Sequence, residues 1–199
     1  MTLRAAFFDL GGVIVRTEYQ APRERLAERL NTTYEDLSRI VFESDTSRKA
    51  SIGAITTDDH WAAIARRLGR PAAEAKTLHA EFFAGDVIDR QLLDFIRSLR
   101  PARKTGIISN AWPDLRSYLV ENKFDDAFDA LVVSAEVGIM KPDPRIYHIA
   151  LDKLEVKPNE AVFVDDMPAN VEAARTLGMQ GILFQSQEQT LHELKELLA

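Results

Sequence analysis

The chain has 199 residues, 46% of them hydrophobic, with 31 acidic against 25 basic side chains and a formal charge of -6. That content can bury a sizeable core, and an acidic balance without runs of like charge excludes a nucleic-acid glove or a basic membrane-surface helix. Cysteine is absent, which removes disulfides, thiolate nucleophiles and sulfur-bound zinc.

No stretch has the composition of a signal peptide or the length of a transmembrane span, so the expectation is a soluble cytoplasmic protein. The first strong element is RAAFFDLGGVIV, residues 4–15. Its apolar run is too short for a helix and ends abruptly at Asp9, followed by Gly11 and Gly12. A buried strand thus delivers one carboxylate into a loop whose glycines let a ligand approach. From residue 19 to residue 83 the pattern is helical. Pro22 suits a first turn, Thr32 and Glu35 have capping-box spacing, and Trp61, Ile64, Ala65 and Leu68 share one face that stops at Gly69. A further helix begins at Pro71.

Beyond Asp89, helices alternate with short apolar runs at residues 105–109, 131–133, 161–164 and 181–184. Near-continuous apolar strands separated by helices imply a parallel sheet covered on both faces, and ligands of such sheets bind beyond the carboxyl ends of the strands. Asp9, Ser109, Asn110, Asp165 and Asp166 stand at those ends, and Lys141 lies in the connection after the third strand. Three carboxylates at one sheet edge repel unless a cation holds them, and a hard divalent ion such as magnesium suits oxygen ligands. The lysine, the hydroxyl, the amide and the Gly-rich loop supply donors for a phosphate. An aspartate can attack phosphorus and form an aspartyl-phosphate that water then hydrolyses.

The segments FFDLGGVIV, GIISN, Lys141-Pro142 and VFVDDMPANVEAARTLGM resemble the four ordered motifs of the haloacid dehalogenase superfamily, and the match covers nearly the whole chain. The resemblance implies an α/β fold with a Rossmann-like core of residues 1–15 and 88–199 and a small helical cap, residues 16–87, inserted after the first strand. It implies Asp9 as nucleophile, Lys141 as its catalytic partner, and Ser109, Asn110 and Lys141 on the phosphate. Magnesium would be held by Asp9, the backbone carbonyl of Gly11 and Asp166, with Asp165 and Asn170 supporting that set from behind. The pattern looks most like small sugar-phosphate phosphatases related to the phosphatase domain of soluble epoxide hydrolases. The implied function is a magnesium-dependent phosphatase for a small phosphorylated metabolite, acting as a monomer or homodimer with no nucleic-acid or membrane partner.

One position departs from the pattern. Most phosphatases of the superfamily carry a second aspartate two residues after the nucleophile, as general acid and base, and here that residue is Gly11. An enzyme without this proton donor favours esters with acidic leaving groups, such as a sugar 1-phosphate, an acyl phosphate or an aryl phosphate. Two other readings stay open. A 2-haloacid dehalogenase, in which Asp9 attacks carbon without a metal, also lacks the second aspartate, although Asp165 and Asp166 argue against it. A catalytically weak phosphate-ligand-binding or regulatory protein would also tolerate Gly11. The four histidines read as surface or packing residues, Trp112 as a pocket-lining or packing residue, and Arg48, Lys49 and Trp61 as candidates for substrate selection.

Overall fold

The computed structural model describes residues 2–198. In chain order the elements are β1 (Ala5–Phe8), β2 (Val15–Thr17), α1 (Ala21–Arg29), α2 (Tyr34–Phe42), α3 (Asp45–Ser51), α4 (Thr57–Arg67), α5 (Ala75–Phe82), β3 (Asp86–Ile88), α6 (Arg90–Ser98) and β4 (Lys104–Ser109). They continue with α7 (Leu115–Glu121), β5 (Ala130–Val133), α8 (Ser134–Val137), α9 (Pro144–Leu154), β6 (Ala161–Asp165), α10 (Pro168–Thr176), β7 (Gln180–Leu183) and α11 (Gln187–Leu197). Five strands form one parallel sheet in the order β5-β4-β1-β6-β7. The first strand is therefore central, with β4 and β6 on either side.

Alternation along each strand divides the apolar side chains between two layers. Ala6, Phe8, Ile107, Val162 and Val164 face one core with Leu92, Ile96, Leu119 and Leu194 from α6, α7 and α11. Ala5, Phe7, Ile108, Ala161 and Phe163 face the other, against Ile146, Tyr147, Leu151 and Ala174 from α9 and α10. Burial on both faces explains why these strands read as continuous apolar runs. Fully burying a phenylalanine such as Phe7 or Phe8 is worth about 1.5–3 kcal/mol.

Helices α1 to α5 build a third core around Leu37, Val41, Trp61, Ile64, Leu78 and Phe82. The chain enters and leaves this helical block through an antiparallel ribbon of β2 and β3, with Val15 opposite Ile88. The sequence pattern does not announce this ribbon, because three-residue, half-exposed strands show no periodicity. It also misses α3, whose sequence DTSRKAS carries no apolar stripe and whose start is fixed by the Ser44 hydroxyl on the Ser47 amide. The cap of α2 is Thr33, which accepts from the Asp36 amide, one residue later than the Thr32 spacing predicts. The helix with the Trp61–Leu68 face is α4, whose start is fixed by Thr56 and Asp59 in a reciprocal capping box.

Candidate active site

Parallel register sets the site. Phe8 pairs with Val164 on β6 and with Ile107 on β4, so the next residue, Asp9, comes level with Asp165 and lies one step from Ser109. Carboxylate oxygens of Asp9, Asp165 and Asp166 all lie within 4.8 Å of one another. The Lys141 side chain is fully buried among them, with Nζ 2.9 Å from Asp9 Oδ2 and 2.6 Å from Asp165 Oδ2. Asp9 also accepts from the Leu10 amide at 2.7 Å.

The Asp165 carboxylate has no capacity left. It accepts from Lys141, from the Met167 amide at 2.8 Å and from the Asn170 carboxamide at 3.0 and 3.1 Å. Asn170 is itself fixed by the buried Tyr147 hydroxyl, which donates to its carbonyl at 2.9 Å. The pair thus orients Lys141 from behind, and Asp9 and Asp166 are the carboxylates with oxygen positions to spare. Gly12, at a φ of 79°, lies against Asp166: a Cβ there would sit 2.2 Å from Asp166 Oδ2. Only glycine allows both that backbone conformation and that approach.

Burial pushes the Asp9 carboxyl up to about 6, with Asp165 adding to the effect and Lys141 opposing it. Asp166 is raised too, by burial and then by Asp165. Three carboxylates against one ammonium leave two unmatched negative charges when all are ionised. An all-oxygen donor set with that charge fits a hard divalent cation, and the Gly11 carbonyl accepts no backbone hydrogen bond among the described residues.

Asn110 follows Ser109 at the end of β4 and lines the cavity beside the site. Its carboxamide oxygen accepts from the Lys141 amide at 2.7 Å and its nitrogen donates to the Lys141 carbonyl at 3.0 Å, a two-point clamp on the lysine backbone. Ser109 is buried at the end of β4, lines the neighbouring cavity and makes no hydrogen bond through its hydroxyl to another described residue. The cavity, about 710 Å³, runs from Leu10, Gly11 and Gly12 to Phe42, Phe83 and Trp112. Trp112 both lines it and packs against His60, with ring centroids 4.6 Å apart. Arg48, Lys49 and Trp61 do not line it; Phe42, Phe83, Tyr118 and Arg23 do. His60 is fully buried, bonded to Thr46 and to the Val41 carbonyl, and burial holds its pKa down to about 4.

The chain is similar to several known proteins. The murine bifunctional epoxide hydrolase 2 is 30% identical over 98% of the chain, which spans 39% of that protein's length. The sesquiterpene phosphatase astK of Aspergillus oryzae is 27% identical, covering 99% of the chain and 97% of that protein. A phosphorylated carbohydrates phosphatase from Thermotoga maritima is 28% identical, covering 90% and 84%. Among solved structures, a HAD family enzyme from Bacteroides thetaiotaomicron superposes with a TM-score of 0.81 at 20% identity, covering 98% of this chain and 99% of its own. It has also been solved with magnesium and inorganic phosphate. The family model for haloacid dehalogenase-like hydrolases matches residues 3–178, a span that holds every strand-end carboxylate described above together with Lys141. With nearly nine-tenths of the chain matched, from the strand that carries Asp9 to the helix behind Asp166, the chain belongs to the haloacid dehalogenase-like hydrolase family.

Proposed function

We propose that the protein is a phosphomonoesterase that moves the phosphoryl group of a small-molecule ester onto Asp9 and then to water. The observation that carries this reading is the convergence of Asp9, Asp165 and Asp166 within 4.8 Å around the buried Lys141 ammonium. In the first step a carboxylate oxygen of Asp9 bonds to phosphorus while the ester P–O bond breaks and its electron pair leaves with the alcohol oxygen. In the second, water attacks the aspartyl-phosphate, releasing inorganic phosphate and the Asp9 carboxylate.

Lys141 holds Asp9 in place and sets positive charge beside the oxygens of the transferring group, where such charge lowers the barrier most. Asn110, Asp165 and Asn170 keep that lysine fixed through its backbone and its ammonium. The Ser109 hydroxyl is free to donate to a phosphate oxygen. Asp9, Asp166 and the Gly11 carbonyl would hold magnesium, which supplies further neutralisation of phosphate charge when bound. Gly11 offers the leaving group no proton, so the substrates favoured are esters of acidic alcohols, a sugar 1-phosphate or an aryl phosphate ahead of an alkyl ester such as a sugar 6-phosphate.

Turnover of a panel of phosphorylated metabolites with magnesium tests this, with Asp9→Asn as control. Phosphate release that requires Asp9 and is abolished by a chelator supports it. Chloride release from 2-chloropropionate in the presence of chelator, with no phosphate release from any ester, would replace it with carbon-centred dehalogenation.

A further inference from the structure

The cavity beside Asp9 has walls that a sugar does not match. Its apolar and aromatic lining includes Phe42, Phe83, Trp112, Tyr118, Leu115 and Met140, and three of the aromatic rings pack on one another, with Phe42–Trp112 centroids 6.3 Å and Phe83–Trp112 centroids 6.2 Å apart. The charged side chains in the same wall already have partners. Arg23 donates to the Phe82 carbonyl and to Asp86, each at 2.9 Å, and lies over the Phe82 ring at 4.1 Å. Asp86 also accepts from Thr17, Asp114 accepts from Thr57, and Arg16 is paired with Asp89 and Glu18.

A hexose would bury several hydroxyls against these surfaces, and each one left without a partner keeps its desolvation penalty unrepaid. An anionic leaving group would find both arginines of the wall already paired. The His79 ring and the hydroxyls of Ser47, Ser51 and Tyr118 make no hydrogen bond to a described residue, which provides for a few polar substituents on an otherwise apolar group.

Resting on the phosphoryl-transfer reading above, we infer that the leaving group is a largely apolar, ring-bearing alcohol packed against Phe42, Phe83 and Trp112, so that hydrophobic phosphate monoesters are preferred over phosphorylated sugars. With Gly11 favouring acidic leaving groups, an aryl phosphate meets both conditions of the site.

The test separates apolar fit from leaving-group acidity by comparing phenyl phosphate with para-phenylphenyl phosphate, whose phenols are nearly equally acidic. The second ring raises kcat/KM by about tenfold or more, the scale on which an apolar pocket discriminates, and glucose 1-phosphate is turned over less efficiently than either. Calorimetric binding of phenylphosphonate and its biphenyl analogue to the wild-type protein, loaded with magnesium, reads the same preference without turnover. Phe83→Ser and Trp112→Ser reduce the second-ring gain. Equal affinity for the two phosphonates, or a higher kcat/KM for glucose 1-phosphate than for the biphenyl ester, overturns the inference. Tighter binding of the biphenyl phosphonate with no ester hydrolysed upholds the cavity's preference and refutes the catalytic reading instead.

Discussion

Gly11→Asp places a carboxyl where the proposed chemistry has no proton donor. An ideal Cβ at this position meets no atom within 4 Å, and Gly11 is exposed with its backbone outside the left-handed region, so the loop accepts the side chain without strain. Removing a glycine there also restricts the unfolded chain, a gain of about 0.4–1 kcal/mol. Gly11→Ala isolates that effect, with a higher Tm and no change in rate. A general acid and base is worth about 10²–10⁴ in rate, or about 2.7–5.5 kcal/mol of barrier at 1.36 kcal/mol per decade. The gain is not uniform. An alcohol that leaves readily as its anion has little use for a proton, whereas a poor leaving group needs one. The assay is single-turnover kcat/KM across aryl and alkyl phosphates of graded leaving-group pKa. A steep dependence in the wild type and a flattened one in Gly11→Asp, with the largest gain for alkyl esters, is expected. An equal gain for every ester, or a flat wild-type dependence with chemistry rate-limiting, refutes the reasoning.

Three further outcomes follow from the same geometry. Gly12→Ala puts a Cβ within 2.2 Å of Asp166 Oδ2 at a φ of 79°, so it costs about 1–2 kcal/mol of backbone strain and displaces that carboxylate, seen as a lower Tm with magnesium affinity reduced about tenfold or more in calorimetry. Asn110→Ala releases both bonds to the Lys141 backbone, at about 0.5–1.5 kcal/mol of stability each, and lowers kcat more than it raises KM, because the loosened lysine serves the transition state. The Asp9 carboxyl, raised by burial from 3.8 to about 6, binds a proton in the folded chain where the unfolded chain has lost it, so its contribution to stability falls as pH rises through that window. A cation must displace this proton, so magnesium affinity falls by up to about tenfold per pH unit below about 6 and levels off above it; a constant affinity across that range contradicts the assignment.

The sheet and its strand-end residues were legible because β1, β4 and β6 are buried on both faces, and a short apolar run cut off by Asp9, Ser109 or Asp165 leaves a plain mark in the sequence. Supporting contacts were not. Asn110 and Lys141 are separated by 31 positions, and an asparagine at a strand end gives no local sign that its carboxamide will clamp another backbone. The closeness of Gly12 to Asp166 depends likewise on two loops meeting across the central pair of strands. The cavity wall was the least legible part. Phe42 and Phe83 fall in helical stretches where an aromatic reads as ordinary core, and only the placement of the helical block against the strand ends brings them into the cavity lined by Gly11 and Gly12. For the same reason Arg48, Lys49 and Trp61 could not be told from cavity residues by sequence, and all three lie outside the cavity.

The direct test is to find where the phosphoryl group goes. Rapid acid quench during turnover of acetyl phosphate with magnesium, followed by peptide mass spectrometry, is expected to show an acid-stable, hydroxylamine-sensitive phosphoryl adduct on Asp9 that is absent in Asp9→Asn. Phosphate release that leaves Asp9 unmodified at every quench time, or that persists in Asp9→Asn, would contradict the account.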